Sequence, residues 1–198
     1  MLGIIDYGSG NLFAFQNIYK ALGLPHIVVR SPKDLKLCSH IILPGVGDYD
    51  ETLELLSRNG YIEILNKLVV NEGRFFLGVC VGMQILGSTS EEGSLAGLGW
   101  IKGSVKKIPG EGKSGLVRLP HMGWNSLNIL RESRLVKALD LAEGAYFLHN
   151  YEFISDDPSC VIGVTDYSKK IISIINKDNI YGIQFHPEKS HFNGVQLL

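Results

Sequence analysis

A cysteine with glycine two residues before it and two residues after it, Gly78-Val79-Cys80-Val81-Gly82, ends the apolar run Phe75–Val79 and precedes the apolar helical start Met83-Gln84-Ile85-Leu86. A strand that is apolar throughout is covered on both faces, the state of a central strand in a parallel sheet. A sharp strand-to-helix turn strains its apex residue and brings neighbouring backbone too close for a Cβ, which explains the flanking glycines. The pattern is a nucleophile elbow with sulfur in place of the hydroxyl. A thiol there lies at a helix N-terminus, whose partial positive charge favours thiolate. A buried structural cysteine is the alternative for this motif taken alone. Cys38 and Cys160 lack the glycine flanks and read as inert.

The rest of the chain supplies the sheet that such an elbow needs. Short β-branched runs at Leu2–Asp6, His26–Arg30 and His40–Leu43 alternate with helix-period segments at Leu12–Leu22, Thr52–Leu56 and Tyr61–Val70, the rhythm of βαβ units. With Phe75–Val79 they predict a mostly parallel α/β sheet. Beyond residue 97 the texture changes to strand-like pieces between glycines and prolines: Trp100–Val105, Leu116–Leu119, Trp124–Leu127, Ala145–Leu148, Val161–Val164, Ile171–Ile175 and Ile180–Phe185. Hairpins replace crossovers there, so the sheet continues into a mixed or antiparallel part. No linker or repeat divides the chain, and residues 1–198 read as one domain with a candidate break near Gly97.

Charge and cysteine usage narrow the function classes. Nineteen Lys and Arg against 20 Asp and Glu give a formal net charge of −1, which argues against a phosphate-backbone reader and hence against a nucleic-acid partner. Twenty-three glycines without a repeat period imply many tight turns and close backbone approaches. Three scattered cysteines cannot make a disulfide framework and fit a reducing cytoplasm. Asp6 interrupts the N-terminal apolar run before a signal-peptide core forms, and no stretch approaches a membrane span, so a soluble, unprocessed chain without a membrane partner is expected.

Three further motifs bear on chemistry. In Gln184-Phe185-His186-Pro187-Glu188-Lys189-Ser190, residues two apart on an extended chain project to one face, which lets the Glu188 carboxylate approach the His186 imidazole. Pro187 cannot donate to a ladder, which places the pair at a strand end. Cys80, His186 and Glu188 then form a nucleophile, base and orienter set. The turn Leu43-Pro44-Gly45-Val46-Gly47 exposes backbone N–H groups to a developing oxyanion, although an ordinary βα loop has the same composition. Asp6-Tyr7-Gly8-Ser9-Gly10-Asn11 resembles the start of a dinucleotide fingerprint but has Phe13 at the third glycine position, so a tight βα turn is the better reading. A metal site is set aside, because His26, His40, His121, His149 and His191 show no HxxxH or CxxC spacing. No cofactor is expected.

Taken in order, DYGSGN, LPGVG, LGVCVGMQIL, Glu91-Glu92, LPHMGWNSL, YFLHNY and GIQFHPEKS resemble class I glutamine amidotransferases nearly end to end, and PHMGWN points to the imidazole glycerol phosphate branch. The resemblance implies a three-layer α/β fold, glutaminase activity with Cys80 as nucleophile, His186 as general base and acid, and Glu188 as orienter. It also implies an oxyanion hole from the Gly45–Val46 turn and the Val81 amide, with Gln84 beside the bound glutamine. The implied partner is a (βα)8-barrel cyclase subunit that receives ammonia through an internal channel. The Pro44–Gly47 turn is then a switch that completes the oxyanion hole when the partner is loaded. Asn11 and Trp124 are candidate partner-facing residues, core packing being the alternative for Trp124. The chain departs from the family at Val81, at His149-Asn150-Tyr151-Glu152 and at Tyr167-Ser168. Rival functions are a glutaminase for sugar amidation in surface-glycan biosynthesis, a stand-alone cysteine hydrolase and a non-catalytic binding subunit.

Overall fold

Apolar residues that alternate between two faces build the sheet of the computed structural model, which describes residues 1–112 and 115–198. In chain order the first half forms β1 (Leu2–Ile5), α1 (Leu12–Ala21), β2 (His26–Val29), β3 (His40–Leu43), α2 (Tyr49–Arg58), α3 (Tyr61–Leu65), β4 (Phe75–Val79) and α4 (Val81–Gln84). The second half forms β5 (Thr89–Ser90), β6 (Gly103–Lys107), β7 (Glu111–Gly112), β8 (Gly115–Leu116), β9 (His121–Asn125), β10 (Asn128–Ile129), β11 (Ala145–His149), β12 (Tyr151–Ser155), β13 (Val161–Asp166), β14 (Lys170–Lys177), β15 (Ile180–Ile183) and α5 (His191–Leu197).

The main sheet has eight strands in the order β10-β13-β14-β15-β4-β3-β1-β2. Strands β2, β1, β3, β4 and β15 run parallel, and the ladder turns antiparallel from β15 through β14 and β13 to β10. Along β3, Ile41 and Leu43 join one apolar cluster and Ile42 the other; along β4, Phe76 and Leu77 divide in the same way. One face is covered by Leu53 and Leu56 of α2 and Leu65 of α3, the other by Phe15 and Tyr19 of α1 and Leu197 of α5. This is a three-layer α/β architecture, as the family resemblance implies, with the mixed sheet that the strand pattern predicts. Residues on both sides of Gly97, from Ile85 to Trp100 and Ile101, share one cluster.

Several local expectations shift. Helix α2 begins at Tyr49, because the Asp48 carboxylate accepts from the Asp50 and Glu51 amides and caps it. The helical pattern at 61–70 continues after Leu65 as a π-helical turn over Asn66–Asn71, which keeps Leu68 and Val69 buried. Trp100 does not open a strand. Its indole N–H donates to Asn66 Oδ1 at 2.7 Å and its ring meets Phe76 edge-on, plugging the core while β6 starts at Gly103. Strand β9 lies upstream of the expected Trp124–Leu127, since Asn125 Oδ1 accepts from the next amide and turns the chain. The strand expected at Leu116–Leu119 is reduced to its first residue.

Candidate active site

The polypeptide at the C-terminal end of β4 is as strained as the glycine spacing implies. Cys80 has φ +54° and ψ −112°, a conformation costing of order 1–3 kcal/mol for a residue with a Cβ. Its amide donates to Ile183 O at 2.8 Å, so the turn is pinned to β15. A Cβ at Gly78 would overlap the Gly82 carbonyl, and one at Gly82 would lie 2.6 Å from Leu43 O. Gly45 is equally constrained, since its Cβ would lie 2.5 Å from both the Gly82 amide nitrogen and Val79 O. The elbow and the Pro44–Gly47 turn are therefore packed backbone against backbone. Val81 is buried with its side chain against Gly45, and Gly47 has φ +107°.

β15 ends at Ile183 and delivers Gln184 and His186 to the same place. His186 Nδ1 lies 2.9 Å from Glu188 Oε1, and both side chains are almost fully buried. The pair forms by a different route from the extended chain expected of the sequence. Pro187–Lys189 form a 3-10 turn that folds the carboxylate back onto the imidazole. Glu188 Oε2 has no partner among the described residues, so the demand of this desolvated carboxylate falls on His186. Burial pulls the His186 pKa down, but hydrogen bonds to the Cys80 and Glu188 side chains, with the charges of both, outweigh it and lift it to about 10. Because α4 spans only Val81–Gln84, its dipole adds little, and polarisation of the thiol comes chiefly from His186.

Behind the sulfur, Gln184 Nε2 lies 3.7 Å from Cys80 Sγ, while Gln184 Oε1 accepts from Gln84 Nε2 at 3.1 Å. Gln84 Nε2 also donates to Tyr151 O, leaving its amide oxygen without a protein partner among the described residues. Gln184 opens the motif that carries His186, but the sequence gives it no role there. It is found only once β15 is laid beside β4.

Cys80 and His186 line a cavity of about 210 Å³ together with Val46, Gly47, Val81, Gln84, Glu92 and the segment Leu148–Tyr151. Glu92 is the residue that motif spacing leaves without a role. Burial raises its pKa and the charges of Asp48 and Asp50 add to the rise, against the Tyr49 amide. No Lys or Arg forms an ion pair with it among the described residues. The cavity thus holds a nucleophile at one place and an uncompensated carboxylate at another. A larger cavity of about 390 Å³ lies at Leu2, His40 and Phe75, where β1, β3 and β4 begin, and contains no nucleophile.

The opposite wall is neutral. His149 Nδ1–H donates to Tyr151 O at 2.7 Å, so its Nε2 accepts from His121 Nδ1–H at 3.0 Å, and His121 Nε2 accepts from Asn125 Nδ2 at 3.2 Å. Burial pushes the pKa of His121 down to about 4. Burial, outweighing the Tyr151 carbonyl and aided by the charges of His121 and His186, pushes that of His149 to about 3. At neutral pH the imidazolium of His186 is the cation of the cavity. Among the described residues no group of three or more His, Cys, Asp or Glu is spaced to hold a metal.

The remaining sequence candidates lie around this cavity or away from it. The Gly8–Gly10 turn packs on the oxyanion candidate: a Cβ at Gly10 would touch Pro44, and Ser9 Oγ donates to Val46 O at 2.9 Å. Asn11 is exposed at the start of α1 and makes no capping bond. Trp124 is 46% exposed, with its ring edge-on to His191. Cys38 and Cys160 are buried in the apolar cluster of one sheet face, and burial raises the pKa of both thiols.

Comparison with known proteins extends these observations over the whole chain. The family model described as glutamine amidotransferase class-I matches residues 3–196. "Imidazole glycerol phosphate synthase subunit HisH" of Leptospira borgpetersenii is 46% identical over 198 residues, covering 100% of this chain and 97% of that protein. The protein of the same name from Bacillus subtilis is 36% identical over 200 residues, covering 100% and 93%. Among solved structures, that of PurLQS from Thermotoga maritima aligns with a TM-score of 0.74 at 19% identity, covering 99% of this chain and 94% of that one.

Proposed function

Because the chain belongs to the class I glutamine amidotransferases, we propose that it is the glutaminase subunit of an imidazole glycerol phosphate synthase, releasing ammonia from glutamine for histidine biosynthesis. The observation that carries this reading is that Cys80 and His186, the latter held by Glu188, line one cavity together with the Glu92 carboxylate, which has no Lys or Arg partner among the described residues. Glutamine offers complementary groups: a side-chain carboxamide for the thiolate and an α-ammonium for Glu92.

The proposed steps use the residues of this cavity. The Cys80 thiolate attacks the carboxamide carbon, and the charge developing on oxygen is met by the Val81 amide and amides of the Gly45–Gly47 turn. The imidazolium of His186 protonates the leaving nitrogen, and ammonia departs. Now neutral, His186 takes a proton from water, which attacks the glutamyl thioester and releases glutamate. Glu188 holds Nδ1–H throughout and favours the imidazolium. Gln84 and Gln184 fix the sulfur and the cavity wall. Residues 1–198 act as one amidotransferase domain, and the ammonia acceptor belongs to a separate (βα)8-barrel cyclase that the exposed residues Asn11 and Trp124 face. No helix among the described residues is long and apolar enough to cross a membrane, and the three unpaired cysteines suit a reducing cytoplasm.

The pH profile of glutamate release tests the chemistry. His186 has its pKa raised to about 10, so it carries its proton through neutral pH and loses it as pH rises through that value. With the partner present, kcat/KM is expected to stay level between about pH 7 and 9 and to fall on a basic limb near about 10. Glu188→Gln removes a group that raises this pKa, so its basic limb moves to lower pH and its rate falls. An unmoved limb, or a chain releasing no glutamate at any pH, contradicts the assignment.

A further inference from the structure

The segment that carries Glu92 into the cavity is fastened on both sides, and one fastening comes from a residue that does not touch the cavity. On the upstream side Glu91 N donates to Val105 O, the Glu91 carboxylate accepts from Lys107 N at 2.9 Å, and Ser90 Oγ accepts from Glu92 N at 3.0 Å. Downstream, the Asp50 carboxylate on the first turn of α2 accepts three hydrogen bonds: from Ser94 N at 2.8 Å, Ser94 Oγ at 3.1 Å and Leu95 N at 3.0 Å. Gly93 lies against it so closely that a Cβ there would overlap the carboxylate. Only a glycine lets the backbone directly after Glu92 close onto Asp50.

We propose that Asp50 is a positioning residue for substrate specificity: by clasping residues 93–95 onto α2 it holds the Glu92 carboxylate at the point where the α-ammonium of glutamine docks. This inference rests on the reading of the cavity as a glutamine site. Two physical effects act together. The clasp removes the freedom of the Glu92 segment before substrate arrives, so less ordering remains to oppose binding. Asp50 and Asp48 also place negative charge beside Glu92, which makes this end of the cavity attractive to an ammonium group and costly for an anionic one, while a neutral group forgoes the attraction. Neither effect changes the attack at Cys80, so the contribution belongs to binding.

The test uses the chain with its partner and two substrates, L-glutamine and its desamino analogue 4-carbamoylbutanoate, which keeps the carboxamide and lacks the α-amino group. Wild type is expected to prefer glutamine strongly. In Asp50→Ala the KM for glutamine rises about tenfold with kcat changed less than about twofold, and the preference over the analogue drops by a similar factor. Gly93→Ala, which displaces the Asp50 carboxylate sterically, gives the same signature, and Asp50→Glu restores part of the preference. General damage to the fold would lower both substrates alike. If Glu92→Gln abolishes the preference while Asp50→Ala and Gly93→Ala keep it, the role of Asp50 is overturned and the glutamine reading stands. If Glu92→Gln leaves the preference intact, the Glu92 reading fails and the role of Asp50 fails with it.

Discussion

Cys80→Ala is expected to lower glutamine hydrolysis by about 10⁴-fold or more, to the level that binding and the oxyanion donors alone sustain. The loss is chemical. Apart from the His186 imidazole, Sγ makes long contacts, 3.8 Å to Leu148 O and 3.7 Å to Gln184 Nε2, so the alanine variant is expected to fold normally and to bind its partner. A partner supplied with ammonium salt in place of glutamine works at its normal rate with this variant, because the acceptor chemistry does not pass through Cys80. Assaying glutamate release and ammonium-dependent turnover on the same preparation separates the two functions. Appreciable glutaminase activity in Cys80→Ala, or loss of both activities together in a folded protein, contradicts the assignment.

The second large effect falls on stability. Gly78→Ala places a methyl group inside contact distance of the Gly82 carbonyl and 2.9 Å from the Met83 amide nitrogen. These are backbone atoms of the elbow, themselves held by Gly45 and by Leu43 of β3, so no flexible side chain yields. Overpacking of this kind commonly costs about 1–3 kcal/mol and more where backbone must move, and at a central strand the upper end is expected. Chemical denaturation should give a midpoint well below wild type, or the variant should fail to accumulate folded. Gly8→Ala serves as comparison: nothing lies within 4 Å of a Cβ there, and its φ of +105° leaves only backbone strain, a smaller loss. Equal stability of Gly78→Ala and wild type would mean the turn is looser than its contacts.

Where the sequence predicts well, a single local cause dominates. β3 and β4 keep the bounds read from the sequence, His40–Leu43 and Phe75–Val79, because after an exposed first residue each strand is buried on both faces and carries an apolar run. β12 escapes the pattern for the opposite reason. Glu152 is its second residue, fully buried, and is tolerated because Lys169 Nζ lies 2.8 Å from its carboxylate, a partner 17 residues away that no local pattern announces. The same distinction runs through the site. The glycine spacing around Cys80 is a local constraint and is legible. Gln184 behind the sulfur, the 3-10 turn that joins Glu188 to His186, and Glu92 in the cavity depend on how distant segments meet. Three of the departures from the family pattern lie close together in this structure: Asn150 lines the cavity, Glu152 meets Lys169, and Ser168 is the neighbour of that lysine.

The central claim is that this chain makes ammonia for another subunit, and the rate of glutamate release alone and with that subunit tests it most directly. The Pro44–Gly47 turn, whose Val46 and Gly47 line the cavity, rests on the Gly8–Gly10 turn through Ser9 and Gly10. The isolated chain is expected to hydrolyse glutamine slowly. Adding the histidine-pathway cyclase barrel with its acceptor substrate should raise the rate by about 10²-fold, the size of effect that completing one oxyanion donor produces. Fast hydrolysis that ignores the barrel would identify a stand-alone hydrolase, and stimulation only by a sugar-pathway barrel would contradict the place in histidine biosynthesis.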